Sequence, residues 1–179
     1  MSKLKLPVNS ADHHEGNINA GIILVEYGDY QCPYCGRAYP LIKRLLKERG
    51  NDIHFVFRNF PLSEIHVHAL AAAIAAEAAG KQDKFWEMHD RIFENQDLLA
   101  DDFLLSSAQS LGLDMKQFKM DSKSEELQKK IESDFDSGVR SGVNGTPSFF
   151  LNGAKLLTYD ETYKSLYEAI QSESKIIRR

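Results

Sequence analysis

Residues 22–35 read IILVEYGDYQCPYC, an apolar run that leads into two cysteines three positions apart. Cys32 and Cys35 are the only cysteines in the chain, and an apolar pattern of helical spacing follows them over residues 41–46. A strand that delivers Cys-x-x-Cys to the first turn of a helix is typical of a redox site. The free amide groups and the dipole of that turn favour a thiolate at Cys32. Cys35, one turn further along, can reach the same sulfur and close a disulfide.

A metal half-site and a pair of ordinary core thiols are the alternatives for these cysteines. A structural zinc site needs four ligands, which usually include a second Cys or His pair. His66 and His68 are the only candidates, and their His-x-His spacing is not that of a zinc finger. We interpret them as residues at a helix entry. The sequence contains no nucleotide, flavin or haem motif, so we favour a redox pair that works with no metal and no cofactor.

The composition limits the class of protein. The chain has 179 residues, of which 42% are hydrophobic, and this is enough to bury a real core. A formal net charge of −4 and the lack of a basic stripe argue against nucleic acid or an anionic membrane as the main partner. No apolar run reaches membrane-spanning length, and the first residues lack the apolar core of a secretory signal. We therefore expect a cytoplasmic protein, or an exported one if an N-terminal signal has been removed.

The order of the predicted elements divides the chain into two domains. Strand patterns cover residues 22–27 and 53–57, and a helix lies between them over about residues 33–47. From residue 62 to residue 140 the pattern is almost wholly helical, and it includes an alanine-rich stretch that only a closely packed helix explains. This block interrupts an alternation of strands and helices.

The strand pattern resumes after the helical block. Asn152-Gly153 between two apolar runs predicts a β-hairpin, and Asp160 is the predicted cap of a last helix. We therefore predict one α/β domain formed by residues 1–61 and 141–179. An inserted all-helical domain, residues 62–140, separates its two parts.

This arrangement, with Cys-x-x-Cys at the start of the first helix, resembles the thioredoxin fold, and in particular the DsbA-like thiol–disulfide oxidoreductases. The likeness extends from about residue 12 to residue 170. It rests on five segments in the family's order: VEYGDYQCPYCGRAYP, RNFPL, HVHALAAAIAAEAA, KFWEMHDRIF and GVNGTPSFFLNG. It implies an α/β thioredoxin fold, in which helices flank a central mixed sheet and a helical domain is inserted. It also implies an enzyme that exchanges thiols and disulfides.

The resemblance assigns roles to individual residues. Cys32 would be the attacking cysteine and Cys35 the resolving one. Pro147 would be the family's cis-proline beside the disulfide, although an ordinary trans proline in a turn is the alternative for this residue. With a cis bond, the backbone of Thr146 would be free to pair with an extended substrate segment.

Pro33 and Tyr34 separate the two cysteines, and we expect them to tune the pair and to contact the substrate. The intervening residues change how well the reduced form is stabilised, and hence the potential. Known potentials range from about −270 mV for thioredoxin to about −120 mV for DsbA. The Pro-Tyr dipeptide is also typical of glutaredoxins, which lie between those limits. The sequence therefore leaves the direction of exchange open.

Glu26 interrupts a strand that we expect to be buried on both faces. An ionised and unpaired carboxylate there would be costly, so its pKa should rise. The functional interpretation is a catalytic proton acceptor for Cys35, when that thiol must attack a mixed disulfide. The resemblance agrees, because the family carries a buried acid at this position. An exposed edge position and a salt bridge are the alternatives.

Together these residues predict a protein thiol–disulfide oxidoreductase. Its substrates would be protein thiols and disulfides, and a redox partner or glutathione would recycle it. In a reducing cytosol this would be reductase or isomerase work. The alternative is a glutathione-dependent thiol transferase of the same fold, for which Arg37 is the only obvious charged group near the cysteines. A non-enzymatic binding module, with the helical insertion as its partner surface, is a third hypothesis.

Overall fold

A five-stranded mixed sheet forms the centre of the computed structural model, which describes residues 2–177. Its strands are β1 (His13–Gly16), β2 (Ile22–Gly28), β3 (Ile53–Asn59), β4 (Ser148–Leu151) and β5 (Ala154–Lys155). Their order across the sheet is β1-β3-β2-β4-β5. The central strands β2 and β3 are parallel, and the other neighbours are antiparallel. The predicted fold class is confirmed. Met1 and the last two residues of the predicted α/β domain lie outside the described residues.

Seven α-helices accompany the sheet among residues 2–177. Helix α1 (Pro33–Arg49) follows β2, and helix α7 (Tyr163–Ile177) follows β5. All the others come between β3 and β4: α2 (Ala69–Gly80), α3 (Phe85–Phe93), a short 3₁₀ helix (Gln96–Leu98), α4 (Asp101–Ser110), α5 (Met115–Asp121) and α6 (Glu125–Arg140). None of these helices combines the length and apolarity needed to cross a bilayer.

The sheet buries apolar side chains on both faces because its central strands are rich in β-branched and aromatic residues. Helices α1 and α7 pack on one face, against a set that includes Leu24, Phe55, Phe57 and Phe149. The end of α6 packs on the other face, against a set that includes Val25, Val56, Phe60 and Phe150. Glu26 belongs to the first face, because side chains alternate along a strand and Leu24 is two residues away. The carboxyl group therefore faces the same side as α1.

The alanine-rich helix α2 lies between the sheet and the other inserted helices. Small side chains let neighbouring helices approach closely, and nearly all the alanines of α2 are buried. Its neighbour α3 contributes large apolar side chains to the same core, namely Phe85, Met88 and Ile92. The inserted helices therefore share a core with the sheet instead of forming a separate one.

The connection from β4 to α7 agrees with one prediction and corrects another. Asn152 and Gly153 have φ angles of 47° and 81°, so both occupy the left-handed region that a tight two-residue hairpin requires. The predicted cap of the last helix is wrong. The hydroxyl group of Thr162 accepts a hydrogen bond from the amide of Ser165. Asp160 lies before the helix, and its carboxylate accepts hydrogen bonds from the amide and the hydroxyl group of Thr162. Short polar residues that lie this close together cannot be ranked as caps from sequence alone.

A buried ion pair holds the N-terminal segment against the sheet. The guanidinium of Arg58, on β3, donates to both carboxylate oxygens of Asp12 at 2.8 and 2.9 Å, and both side chains are buried. Further bonds reach the carbonyl oxygens of Leu6 and Pro7 and the hydroxyl of Tyr27. Burial of a charge is tolerated here because nearly every donor of the guanidinium is used.

Candidate active site

Cys32 and Cys35 lie at the start of α1, directly after the central strand β2. Cys32 is the N-cap residue, with an extended backbone (φ −70°, ψ 122°), and its carbonyl accepts the first helical bond, from the amide of Gly36 at 3.0 Å. Both cysteines are free thiols in this structure. Cys32 is 4% exposed and Cys35 is fully buried, so only the first sulfur can meet a substrate.

Hydrogen bonds lower the pKa of Cys32 to about 5. The largest cause is the thiol of Cys35, which donates to the thiolate, and it outweighs the opposing effect of burial. The Thr146 side chain and the backbone amides of Tyr34 and Cys35 contribute further. In the thiol form, Sγ of Cys32 lies 3.3 Å from the carbonyl oxygen of Thr146. The Thr146 hydroxyl is buried and has no partner among residues 2–177, so it is free to donate once Cys32 ionises.

The second cysteine has the opposite character. Burial raises the pKa of Cys35 well above its ordinary value, and its own bond to Cys32 and the charge of Glu26 add to this effect. Its sulfur accepts a hydrogen bond from the backbone amide of Asp29, with an N–S distance of 3.4 Å. At neutral pH the site therefore holds one thiolate and one thiol. This asymmetry is what sequential attack and resolution require.

Glu26 is buried beneath the cysteines in the central strand β2. It is 4% exposed, and within the described chain its carboxylate makes neither a hydrogen bond nor a salt bridge. The edge and ion-pair alternatives therefore do not apply to it. Burial raises its pKa to about 8, and the negative charge of Cys32 is the second cause. A carboxyl group with this pKa can take up or release a proton near neutral pH.

The remaining predicted site residues surround Cys32. The peptide bond between Thr146 and Pro147 is cis, and the carbonyl of Thr146 contacts the cysteine sulfur. Pro33 occupies the first turn of α1. The ring of Tyr34 is 49% exposed and lies under the guanidinium of Arg37, whose Cζ is 4.3 Å from the ring centroid. Pro33 and Tyr34 thus present exposed apolar surface next to Cys32 in the sequence.

Sequence analysis missed Gln96. This residue begins the short 3₁₀ helix of the insertion, and its side chain is hydrogen-bonded to the loop that contains Cys32. Its side-chain amide donates to the carbonyl oxygens of Tyr30 at 2.7 Å and Cys32 at 3.0 Å. The approach is so close that a Cβ atom on Gly36 would overlap the Gln96 amide. No local pattern could reveal this contact, because its two sides are far apart in the sequence.

Asp29 is a second residue that sequence analysis missed. It is buried. Its carboxylate accepts hydrogen bonds from the amides of Gln31 and Leu62 and from Nδ1 of His66, each with a donor–acceptor distance of 2.8 Å. It therefore joins the loop before Cys32 to the loop before α2. His66 is engaged in this bond, and the described residues contain no group of three side chains placed to share a metal ion.

The comparison with protein families agrees with this geometry. A family model described as Thioredoxin matches residues 8–172. The chain belongs to the thioredoxin family. Solved structures share its fold. It resembles a thioredoxin-like oxidoreductase from Silicibacter pomeroyi, with 28% identity, a TM-score of 0.83, and coverage of 93% of this chain and 94% of that one.

Other matches extend the likeness. BdbD from Bacillus subtilis shares the fold, with a TM-score of 0.83 at 24% identity over 97% of this chain and 98% of that one. Among curated proteins, the chain is 42% identical over 153 residues to a protein named Na(+)/H(+) antiporter NhaA 1 from Salinispora arenicola. That match covers 85% of this chain and 23% of the antiporter. The chain thus spans about a quarter of the length of these curated relatives.

The low pKa of Cys32 predicts how fast it is alkylated. Because the thiolate is the nucleophile, the rate with iodoacetamide should rise with pH to a plateau, with a midpoint near 5. A free cysteine has its midpoint at about 8.5. Cys35→Ala removes the main donor and should move the midpoint upward, whereas Cys35→Ser keeps a donor and should move it less. Equal midpoints in both variants and the parent protein would contradict the assigned cause.

The pKa of Glu26 predicts a stability that depends on pH. The folded protein keeps a proton that the unfolded chain, with a glutamate pKa of about 4.3, has already lost, so stability falls as pH rises from there to about 8. Glu26→Gln stays neutral and removes this fall. We expect the variant to gain about 3 kcal/mol of unfolding free energy at neutral pH and almost nothing near pH 4.

Denaturant unfolding of the reduced proteins measures this difference. Glu168→Gln on the exposed face of α7 is the matched control, and its effect should be small at every pH. A gain for Glu26→Gln that is independent of pH would show that the carboxyl group ionises normally.

Proposed function

We propose that this protein is a protein thiol–disulfide oxidoreductase that acts through Cys32 and Cys35. The observation that carries the proposal is the pairing of a low-pKa sulfur at Cys32 with a protonated sulfur at Cys35, at the start of one helix. The family and the fold support thiol–disulfide exchange in general. Protein substrates are favoured because Cys32 opens onto Tyr34 and Thr146, which offer apolar surface and backbone to a polypeptide.

In the reducing direction, the thiolate of Cys32 attacks one sulfur of a substrate disulfide. A mixed disulfide forms, and the other substrate sulfur leaves as a thiolate. Cys35 then loses its proton and attacks Cys32, which releases the second substrate thiol and leaves the internal disulfide. The oxidising direction is the same sequence in reverse, so the substrate gives up two electrons to the Cys32–Cys35 disulfide.

Glu26 is the proposed proton acceptor for Cys35. Its pKa of about 8 leaves it mostly protonated while Cys32 is a thiolate. When Cys32 enters a mixed disulfide, that negative charge disappears, and the second cause of the raised pKa disappears with it. The carboxyl group then releases its proton to solvent more readily, although burial still holds its pKa above the ordinary value, and the carboxylate so formed can accept the proton of Cys35. This timing supports a catalytic role for Glu26.

The low pKa of Cys32 also favours the reduced form of the cysteine pair. Only the dithiol state contains the stabilised thiolate, so a pKa of about 5 favours reduction over the disulfide. Relative to an unshifted thiol, the gain is about a hundredfold at neutral pH, which corresponds to about 60 mV. We propose that the dithiol is the resting form in the cytoplasm, where we predict the protein to act. Because a stabilised dithiol is a weak reductant, the thiolate would rearrange disulfides or reduce strained ones whose potential is less negative than its own.

The glutathione alternative has less support. It depends on a free cation near the cysteines, and Arg37 was the candidate. Its guanidinium donates twice to the carboxylate of Glu161, at 2.8 and 3.0 Å, and it also covers Tyr34. A glutathione carboxylate would have to compete with Glu161 for this cation.

A trapping experiment tests the function. Cys35→Ser should accumulate mixed disulfides between Cys32 and substrate proteins, because the resolving sulfur is missing. Mass spectrometry of the trapped species identifies the partners, and Cys32→Ser is the control that should trap none. If Cys35→Ser captures only glutathione and still turns over glutathionylated proteins, the alternative replaces the proposal. Equal capture by both variants would refute it.

A redox titration tests the stability of the reduced form. Equilibration with glutathione buffers should give a potential less negative than that of thioredoxin, which is about −270 mV. Thr146→Val removes a hydroxyl group that stabilises the thiolate and should make the potential more negative. A potential at or below the thioredoxin value would mean that the thiolate does not control the equilibrium.

A further inference from the structure

An open groove of about 860 Å³ lies on the side of the inserted helices, between the loop after β3 and helices α2 and α6. Its apolar lining comes from all three elements: Leu62, Ile65, Leu70, Ile74, Ile131 and Phe135. The exposed end of this surface is unusual for a folded protein, since Ile65 is 71% exposed and the neighbouring Val67 is 77% exposed. Contiguous exposed apolar side chains of this kind mark interaction surfaces.

Three carboxylates border the groove. Glu64 lies in the loop, and Glu132 and Asp136 lie one turn apart on α6. All three are exposed, and none forms a salt bridge within residues 2–177. No lysine or arginine is among the residues that line the groove. Among the cations of α6, Lys130 is paired with Asp134 at 2.7 Å and Lys129 with Glu125 at 3.2 Å. Arg140, one turn after Asp136, donates to the Asp136 carbonyl oxygen and offsets part of the charge, so Glu64 and Glu132 carry most of the negative border. The groove therefore combines an apolar floor with a negative border.

The loop that forms one wall of the groove also contacts the active-site loop. The amide of Leu62 and the Nδ1 of His66 donate to Asp29, three residues before Cys32. The amide of His68 donates to the side chain of Gln31. The wall of the groove is thus tied directly to the loop that precedes Cys32, where a substrate polypeptide would be joined.

We propose that the groove holds a segment of the protein substrate in which apolar side chains are flanked by lysine or arginine. This inference rests on the proposed function, because the segment must belong to a chain that reacts at Cys32. The apolar floor accepts the hydrophobic side chains, and the three unpaired carboxylates attract the flanking cations. The same negative border repels acidic peptides, nucleic acid and anionic lipid.

Model peptides provide the test. Three peptides of equal length contain one cysteine and one leucine-rich segment, which is flanked by lysine, serine or glutamate. Each cysteine carries a thionitrobenzoate group in a disulfide. The Cys32 thiolate of the Cys35→Ser variant attacks the peptide sulfur, a new disulfide forms, and the coloured thionitrobenzoate leaves as a thiolate. Its release gives the rate of mixed-disulfide formation.

We expect the lysine peptide to react about tenfold faster than the glutamate peptide at low ionic strength, and salt should reduce the difference. The double substitution of Glu132→Lys and Asp136→Lys reverses the charge of the border and should invert this preference. The matched control reverses two carboxylates on α7, Glu168→Lys and Glu173→Lys, and should leave the preference unchanged. Leu70→Ser, at an exposed apolar position of the groove, should slow all three peptides without altering their order.

A small disulfide reagent distinguishes a failure of the proposed function from a failure of the groove proposal. The symmetrical pyridyl disulfide is uncharged and too small to reach the groove while it reacts, so its rate should be the same in every variant. If this rate at mildly acidic pH is no higher than that of free cysteine, the proposed function fails. If the small reagent reacts fast but the peptides show no preference, or a preference that the α6 reversal leaves intact, the groove proposal fails.

Discussion

The unequal proton affinity of the two cysteine sulfurs governs the chemistry of this site. The neighbouring Cys35 thiol lowers the pKa of Cys32, and burial raises the pKa of Cys35, so the pair is polarised before any substrate arrives. Burial raises the pKa of Glu26 beneath the helix, and the negative charge of Cys32 adds to this effect. The three groups therefore titrate as a coupled set, in which loss of charge at one position changes the proton affinity of the others.

The inserted helices contribute directly to this arrangement. Gln96 bonds the carbonyl groups on both sides of the cysteine loop, and Asp29 ties that loop to the segment before α2. These bonds fix the backbone from which the thiolate is stabilised. The insertion thus supports the reactive sulfur as well as providing surface. A groove with a negative border on the same part of the protein would let one body of helices serve both positioning and recognition.

Local patterns in the sequence were enough to predict the fold, the redox pair and the position of Glu26. The strand before Cys32 and the helix after it have clear periods, and a glutamate in a buried strand is conspicuous. The hairpin at Asn152 was equally readable, because two left-handed residues are needed there. The roles of Gln96 and Asp29 were not readable, since their partners lie far away in the chain. The cap at Thr162 was missed because Asp160 offers the same chemistry two residues earlier.

The contact between Gly36 and Gln96 links the first helix to the inserted helices. The glutamine amide occupies the space that any side chain at position 36 would need. A bulkier residue there would turn this flexible amide away, and the cysteine loop would lose both of its bonds to it. The lack of a Cβ atom at one position of the redox helix thus decides whether the insertion can clamp the reactive loop.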